Sequence, residues 1–320
     1  MSATSQQNIE TVRNSASIYT TPTLQESYFT HQTRLSPESF HHLQTHTVVQ
    51  DINQGWNSEN FLTPRIPVVI DTVSDKPQFD LLGVPRCIHL PIKMAHSDIR
   101  VPNNYLQFRE TLEKIFDAEM AINSAYEKYY AYLTVDQLHI RAGQSQRVSG
   151  LHVDGLPRDR THPEKHPIDH AYLVANTLPS RFFAHPFDMR PYDLQTHHFY
   201  NIFERLGDIK KSFQAQPYEI NLMNAYSVHD SPVADRDYMR TIVRVEFSVL
   251  QFDRVGNSHN PCFEYRWDMI PRPIPERLYD PDYQILQAKG CSDTGGRFDG
   301  GRRLGPRGFF RSAPFKTSSP

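Results

Sequence analysis

Hydrophobic and polar positions alternate in short runs along most of this chain, and only one segment has a longer period. "IPVVIDTV" (66–73) and "RCIHLPIKM" (86–94) read as two short strands around turns. In "NNYLQFRETLEKIFDAEMAINSAYEKYYAYL" (103–133), Tyr105, Phe108, Leu112, Ile115, Phe116, Ile122, Tyr126, Tyr129 and Leu133 recur at three- and four-residue steps, which predicts one amphipathic helix or two. That stripe is a helix face laid on a sheet rather than a cofactor box. After Asp136 the runs become β-type again: "QLHIRAG", "VSGLHVDG", "HAYLVANTL", "RFFAHPF", "YEINLMNAYSVH" and "MRTIVRVEFSVLQF", divided by turns containing Pro and Gly. Many short strands without alternating helices favour an antiparallel sandwich or jelly roll over a βαβ fold.

The two ends differ from this body. The first 45 residues are polar and aperiodic, although Ile18, Tyr19, Leu24, Tyr28 and Phe29 could pack on a neighbouring surface. Residues 289–320 hold seven of the 14 glycines and seven Lys or Arg against two Asp, a surplus of five positive charges that leaves the first 288 residues at −7 within a net of −2. Such a tail cannot bury enough apolar surface to order itself, and a solubilising role is its simplest reading. Contact with RNA or an acidic partner through Gly, Arg and Phe is the alternative. The expected organisation is a polar N-terminal segment (1–45), one domain (46–288) and a disordered basic tail (289–320).

Composition narrows the setting. With 38% hydrophobic residues in 320, the chain can fill a substantial core. No apolar signal core and no membrane-length apolar run occur, so a cytoplasmic protein without membrane attachment is expected. Cys87, Cys262 and Cys291 are odd in number and far apart, which suggests reduced thiols rather than disulfides or a thiolate zinc site.

Two His-x-Asp triplets occur, so that spacing alone carries no weight. His96 and Asp98 precede the helical stretch in a polar segment where turn or capping chemistry explains the Asp. His152 and Asp154 lie in a strand pattern, where residues two apart share a face and can converge on one ion. A third ligand is available in His229, at the end of an apolar strand just before the turn at Pro232. Two imidazoles and one carboxylate on one side of an ion leave positions open, the arrangement of non-haem Fe(II) oxygenases, with zinc as the other option. Arg240 and Arg244 follow eleven and fifteen residues after His229; four apart, they share a strand face, with Thr241, Val243, Val245 and Phe247 on the other. A guanidinium buried in a β-rich core calls for an anion, and its planar fork suits a carboxylate.

His152-x-Asp154, a distal His229 and Arg240 eleven residues on, all in a strand-rich block, resemble the Fe(II)- and 2-oxoglutarate-dependent dioxygenase superfamily. The resemblance covers about residues 137–252 and implies a mainly β fold with flanking helices around a double-stranded β-helix (jelly-roll, cupin-like) core. It implies that His152, Asp154 and His229 bind Fe(II), that Arg240 holds the distal carboxylate of 2-oxoglutarate, and that Arg244 meets an anionic substrate or the co-substrate. The implied reaction consumes O2 and 2-oxoglutarate, releases succinate and CO2, and hydroxylates an unactivated C–H bond. Asp154 argues against the related halogenases, which carry a small residue at that place.

Asn176, Tyr172 and Arg181 lie on expected core strands and are further candidates for the co-substrate or substrate, though ordinary strand roles serve equally. His162, His166 and His170 are four apart, but Pro163 and Pro167 make a loop there, one that could cover the site mouth. Adjacent His197 and His198 read as surface or structural, and Asp230 as a support for His229 or a turn residue. The expected substrate is a small polar molecule such as an amino acid or natural-product intermediate. A protein or nucleic-acid substrate tethered by the basic tail, and a cupin-like metal-binding protein without oxygenase activity, are the alternatives.

Overall fold

A computed structural model of the chain describes residues 41, 43–146 and 150–271, and the backbone of 297–299 and 302–304. The expectations for the N-terminal segment and most of the basic tail fall outside the described residues; within the tail, β10 (Arg297–Asp299) and β11 (Arg302–Leu304) pair antiparallel. The described fold is mainly antiparallel β with few helices. Its larger sheet is built from β1 (Val68–Thr72), β2 (Cys87–Lys93), β3 (Tyr130–Ile140), β4 (His170–Ala175), β7 (Glu219–Asn224) and β9 (Tyr238–Ser248), in the order β1-β7-β4-β9-β3-β2. The smaller sheet joins β6 (Ser212–Gln214), β5 (Arg181–Phe183) and β8 (His229–Asp230).

The helical period between 103 and 133 is only half realised. A 3-10 stretch, Asn103–Phe108, leads into α1 (Arg109–Ile122), but Tyr129 and Leu133 are not helical and Tyr130 opens the longest strand pair of the molecule, β3 against β9. β3 is covered on both faces over much of its length, so apolar residues fill consecutive positions and the alternation that identifies a strand is lost. Asn123 ends the helix: its Oδ1 accepts from the Ala125 N–H and its amide donates to Glu119 Oε1. Lys93, almost fully buried, then pins the following turn by donating to the carbonyls of Tyr126, Glu127 and Tyr129 at 3.3, 3.3 and 2.9 Å.

A second helix, α2 (Phe199–Leu206), stands where only strands and turns were expected. Phe199, Ile202 and Phe203 bury one side of it against Phe61, Phe187 and Leu151, and His198 caps its start by accepting from the Asn201 N–H.

Each face of the large sheet has its own burial. One carries Tyr172, Val243, Val245 and Phe247 against Phe116 and Leu112 of α1, as the alternation in β9 predicts. The other carries Ala171 and Met223, which pack on Phe182 of β5. Arg244 and Glu246 lie on this second face, because Leu173 pairs with Arg244 and Ala171 with Glu246 in the β4–β9 register. The space between the two sheets thus receives the inward charges of β9. Among the described residues no helix is long and apolar enough to cross a membrane, and Cys87 and Cys262 are free thiols.

Candidate metal centre

His152 lies not in a strand but at a single antiparallel bridge to His229. The two residues exchange backbone hydrogen bonds of 2.9 Å in both directions, so their side chains leave the same face, with ring centroids 4.4 Å apart. Within the expected strand "VSGLHVDG", the described residues 150–155 form only this bridge, because Gly150 and Gly155 both adopt positive φ, 113° and 85°, and turn the chain on either side. Leu151 and Val153 do point the other way, into the aromatic cluster around α2.

Each imidazole is held by its own backbone. His152 Nδ1 meets the Gly150 carbonyl at 2.9 Å and His229 Nδ1 meets the Ser227 carbonyl at 2.9 Å. A carbonyl only accepts, so both Nδ1 atoms carry the proton and both Nε2 atoms keep a lone pair for a ligand. Burial first, and then the neighbouring His152, push the His229 pKa down to about 4, which keeps its ring neutral. Asp154 completes the set: its Oδ2 lies 3.9 Å from His229 Nε2, and one ligand atom from each of the three residues falls within 4.8 Å of the others. Two neutral imidazole nitrogens and one carboxylate converging from one side fit a single divalent ion of the Fe(II) or Zn(II) type. No other cluster of this kind occurs among the described residues. His96 has a positive φ of 59° in a turn and joins no ligand group there, as its polar context suggested.

The remaining candidates have separate places. Arg240 is almost completely buried, donating from Nε to the Thr177 carbonyl at 3.0 Å and from Nη1 to Gln146 Oε1 at 2.7 Å. Arg244 is ion-paired to Asp154 through Nη1 and to Glu246 Oε2 through Nη2 at 3.2 Å. Arg181 pairs with Asp230 directly across β5 and β8, so Asp230 ties down the strand that carries His229. Tyr172 lies on the opposite face of the sheet, where its hydroxyl donates to Glu119 Oε2 at 2.9 Å. Asn176 binds Asp80 Oδ1 at 3.0 Å through its amide and accepts from the Thr241 N–H at 2.8 Å.

His162 and His166 belong to an irregular segment that lines a cleft with Gly155, Arg158 and Asp159, next to Asp154. The third histidine of that set, His170, is instead buried in β4 against Glu119, at 2.9 Å. Two further residues reach the centre without having been singled out. Glu246 shares the inward face with Arg240 and Arg244, a period-2 signal present in "MRTIVRVEF". His89 gave no signal at all, because it arrives through a bulge in β2.

Neither a family of proteins nor a curated protein matches the chain.

Proposed function

We propose that this chain is a non-haem Fe(II)- and 2-oxoglutarate-dependent dioxygenase that hydroxylates a small polar molecule, with His152, Asp154 and His229 as the metal ligands. The reading takes the two facing sheets as a double-stranded β-helix core. The observation that carries it is the bridge between His152 and His229, which sends two Nε2 lone pairs toward the Asp154 carboxylate from one side. Ligands confined to one side leave coordination positions for other groups, and such a 2-His-1-carboxylate set belongs to ferrous oxygenases more than to closed structural zinc sites.

With 2-oxoglutarate and O2, ferrous iron at these residues would supply the oxidation of an unactivated C–H bond. The protein's own part is position and polarity. Ser227 and Gly150 fix the ring orientations through their carbonyls. Phe182, whose ring centroid is 5.5 Å from that of His229, keeps one flank apolar. Arg240 offers a buried guanidinium on the same strand face as Arg244 and is the residue we assign to the far carboxylate of 2-oxoglutarate. Arg244 is engaged by Asp154 and Glu246, so it acts on the ligand carboxylate rather than on an anionic substrate.

The test is an anaerobic titration of the protein with Fe(II) and then 2-oxoglutarate, watching for the visible charge-transfer band of a keto acid chelated to ferrous iron. The band should form in the wild type, vanish in His229→Ala and require far more 2-oxoglutarate in Arg240→Ala. A folded, iron-loaded protein that gives no band would remove the co-substrate and leave a metal-binding protein.

A further inference from the structure

The carboxylate ligand is the only one of the three not oriented by a backbone carbonyl. What reaches it instead is a chain of side chains from a distant part of the sequence. His89 sits in β2 with φ of 47°, in the left-handed region that a histidine enters only when its surroundings hold it there. The β2–β3 register shifts between Cys87 and Leu90, and the His89 N–H is taken by Thr134 Oγ1 at 3.1 Å instead of by the ladder. This bulge brings the His89 ring to Arg244, with Nε2 2.8 Å from Nη2.

The shorter contact of His89 Nε2, 2.8 Å to Arg244 Nη2 against 3.4 Å to Glu246 Oε2, sets the proton assignment along this chain. An arginine N–H only donates, so His89 Nε2 accepts and His89 Nδ1 carries the proton. That Nδ1 lies 3.3 Å from Asn257 Oδ1, an acceptor. Arg244 then donates through Nη1 to Asp154 Oδ2, and its Nη2 is ion-paired with Glu246 Oε2 at 3.2 Å. Arg244 and Glu246 are both buried, and together they carry no net charge. Burial of such a pair is costly, and a hydrophobic pair in its place would serve stability as well or better. A metal ligand that needs orientation gives the pair a reason to exist.

We propose that Arg244 and Glu246, backed by His89, are positioning residues that form an electrically neutral clamp presenting Asp154 to the metal. This rests on the metal assignment made above. A lone arginine beside a cation would repel it; Glu246 cancels that repulsion while the guanidinium keeps its directional hold on the carboxylate. A carboxylate offers about four lone-pair sites, and the Arg244 contact uses one of those on Asp154.

Ni(II) binding by the full chain, measured by calorimetry, tests this without requiring turnover. Ni(II) suits because it binds such sites more tightly than Fe(II) and keeps weakened variants measurable. The double substitution Arg244→Met with Glu246→Gln removes the clamp without changing net charge. It should weaken Ni(II) about 10–100-fold when Asp154 is present and have no effect in an Asp154→Asn background, where there is no carboxylate to orient. Unchanged affinity in the first background, or equal loss in both, would overturn the clamp while leaving the metal site standing. Failure of the wild type to bind Ni(II) would instead remove the metal assignment itself. His89→Leu, at a partly exposed position, is the milder companion should the double variant not fold. It should lose less affinity, and again only when Asp154 is present.

Discussion

His152 and His229 are backbone partners: each donates its N–H to the other's carbonyl at 2.9 Å, and among the described residues no other pair extends that bridge into a ladder. The geometry of the candidate metal centre therefore depends on local backbone shape, and the glycines on either side of residues 151–154 become sensitive positions.

Gly155, adjacent to Asp154, has φ of 85°, and a Cβ there would stand 2.9 Å from Asp169 Cβ. Gly155→Ala should cost about 1–3 kcal/mol in urea unfolding, and it should also weaken Ni(II) binding by shifting Asp154. Wild-type behaviour in both measurements would show that the segment relaxes freely.

Tyr172 donates to Glu119 in a fully buried cluster with His170 and Asn123, on the face of the sheet away from the candidate metal centre. Tyr172→Phe should lower stability by about 1.5–3 kcal/mol, the worth of a hydrogen bond to a charged group, and leave the 2-oxoglutarate titration unchanged. A lower affinity for 2-oxoglutarate with full stability would return Tyr172 to the ligand side.

Lys93 gathers the carbonyls of Met94, Tyr126, Glu127 and Tyr129 around one ammonium. Lys93→Met keeps the unbranched apolar stem, removes the amine and orphans these acceptors. We expect a loss of about 3 kcal/mol, seen as a lower denaturation midpoint with unchanged metal affinity. A loss under half of that would mean that water replaces the amine.

Glu110, at the start of α1, is pushed up by partial burial but pulled down further by Lys114 and by the backbone N–H groups of Asp75 and Ser74, to about 2. A depressed carboxyl stabilises the fold above its unfolded pKa, near 4.5, and that contribution drains away as pH falls toward 2. Glu110→Gln should therefore be less stable than wild type at neutral pH and converge with it between pH 4.5 and 2. Parallel stability curves across that window would refute the assignment.

The sequence grouped the three candidate ligand residues better than it placed the elements around them. His152, Asp154 and His229 could be grouped because period-2 faces and one apolar strand placed them plausibly, and the structure brings their ligand atoms together. The strands at 68–72 and 87–93 were legible as bounded apolar runs. β3 was legible only at its end, in the first four residues of "QLHIRAG": a central strand buried on both sides has no alternation, and Tyr126, Tyr129 and Leu133 happened to extend the spacing of α1. α2 was missed because eight residues give only two turns of period, here carried by Phe199, Ile202, Phe203 and Leu206. The partners of Arg244 were half readable. Glu246 is a charge at an inward position of an apolar strand, whereas His89 depends on a bulge and a positive φ that leave no trace in composition.

The bridge between His152 and His229 also bears on the order of assembly. Its two halves are far apart in the chain and are joined by a single pair of backbone bonds, so closing that long loop is entropically expensive and gains little by itself. The β3–β9 ladder, β4 and the β5–β8 contact supply the contacts that make the closure worthwhile, and we expect them to form before it. Convergence of His152, Asp154 and His229 is then expected among the last events as the chain folds, and an ion captured there would report that both sheets have formed.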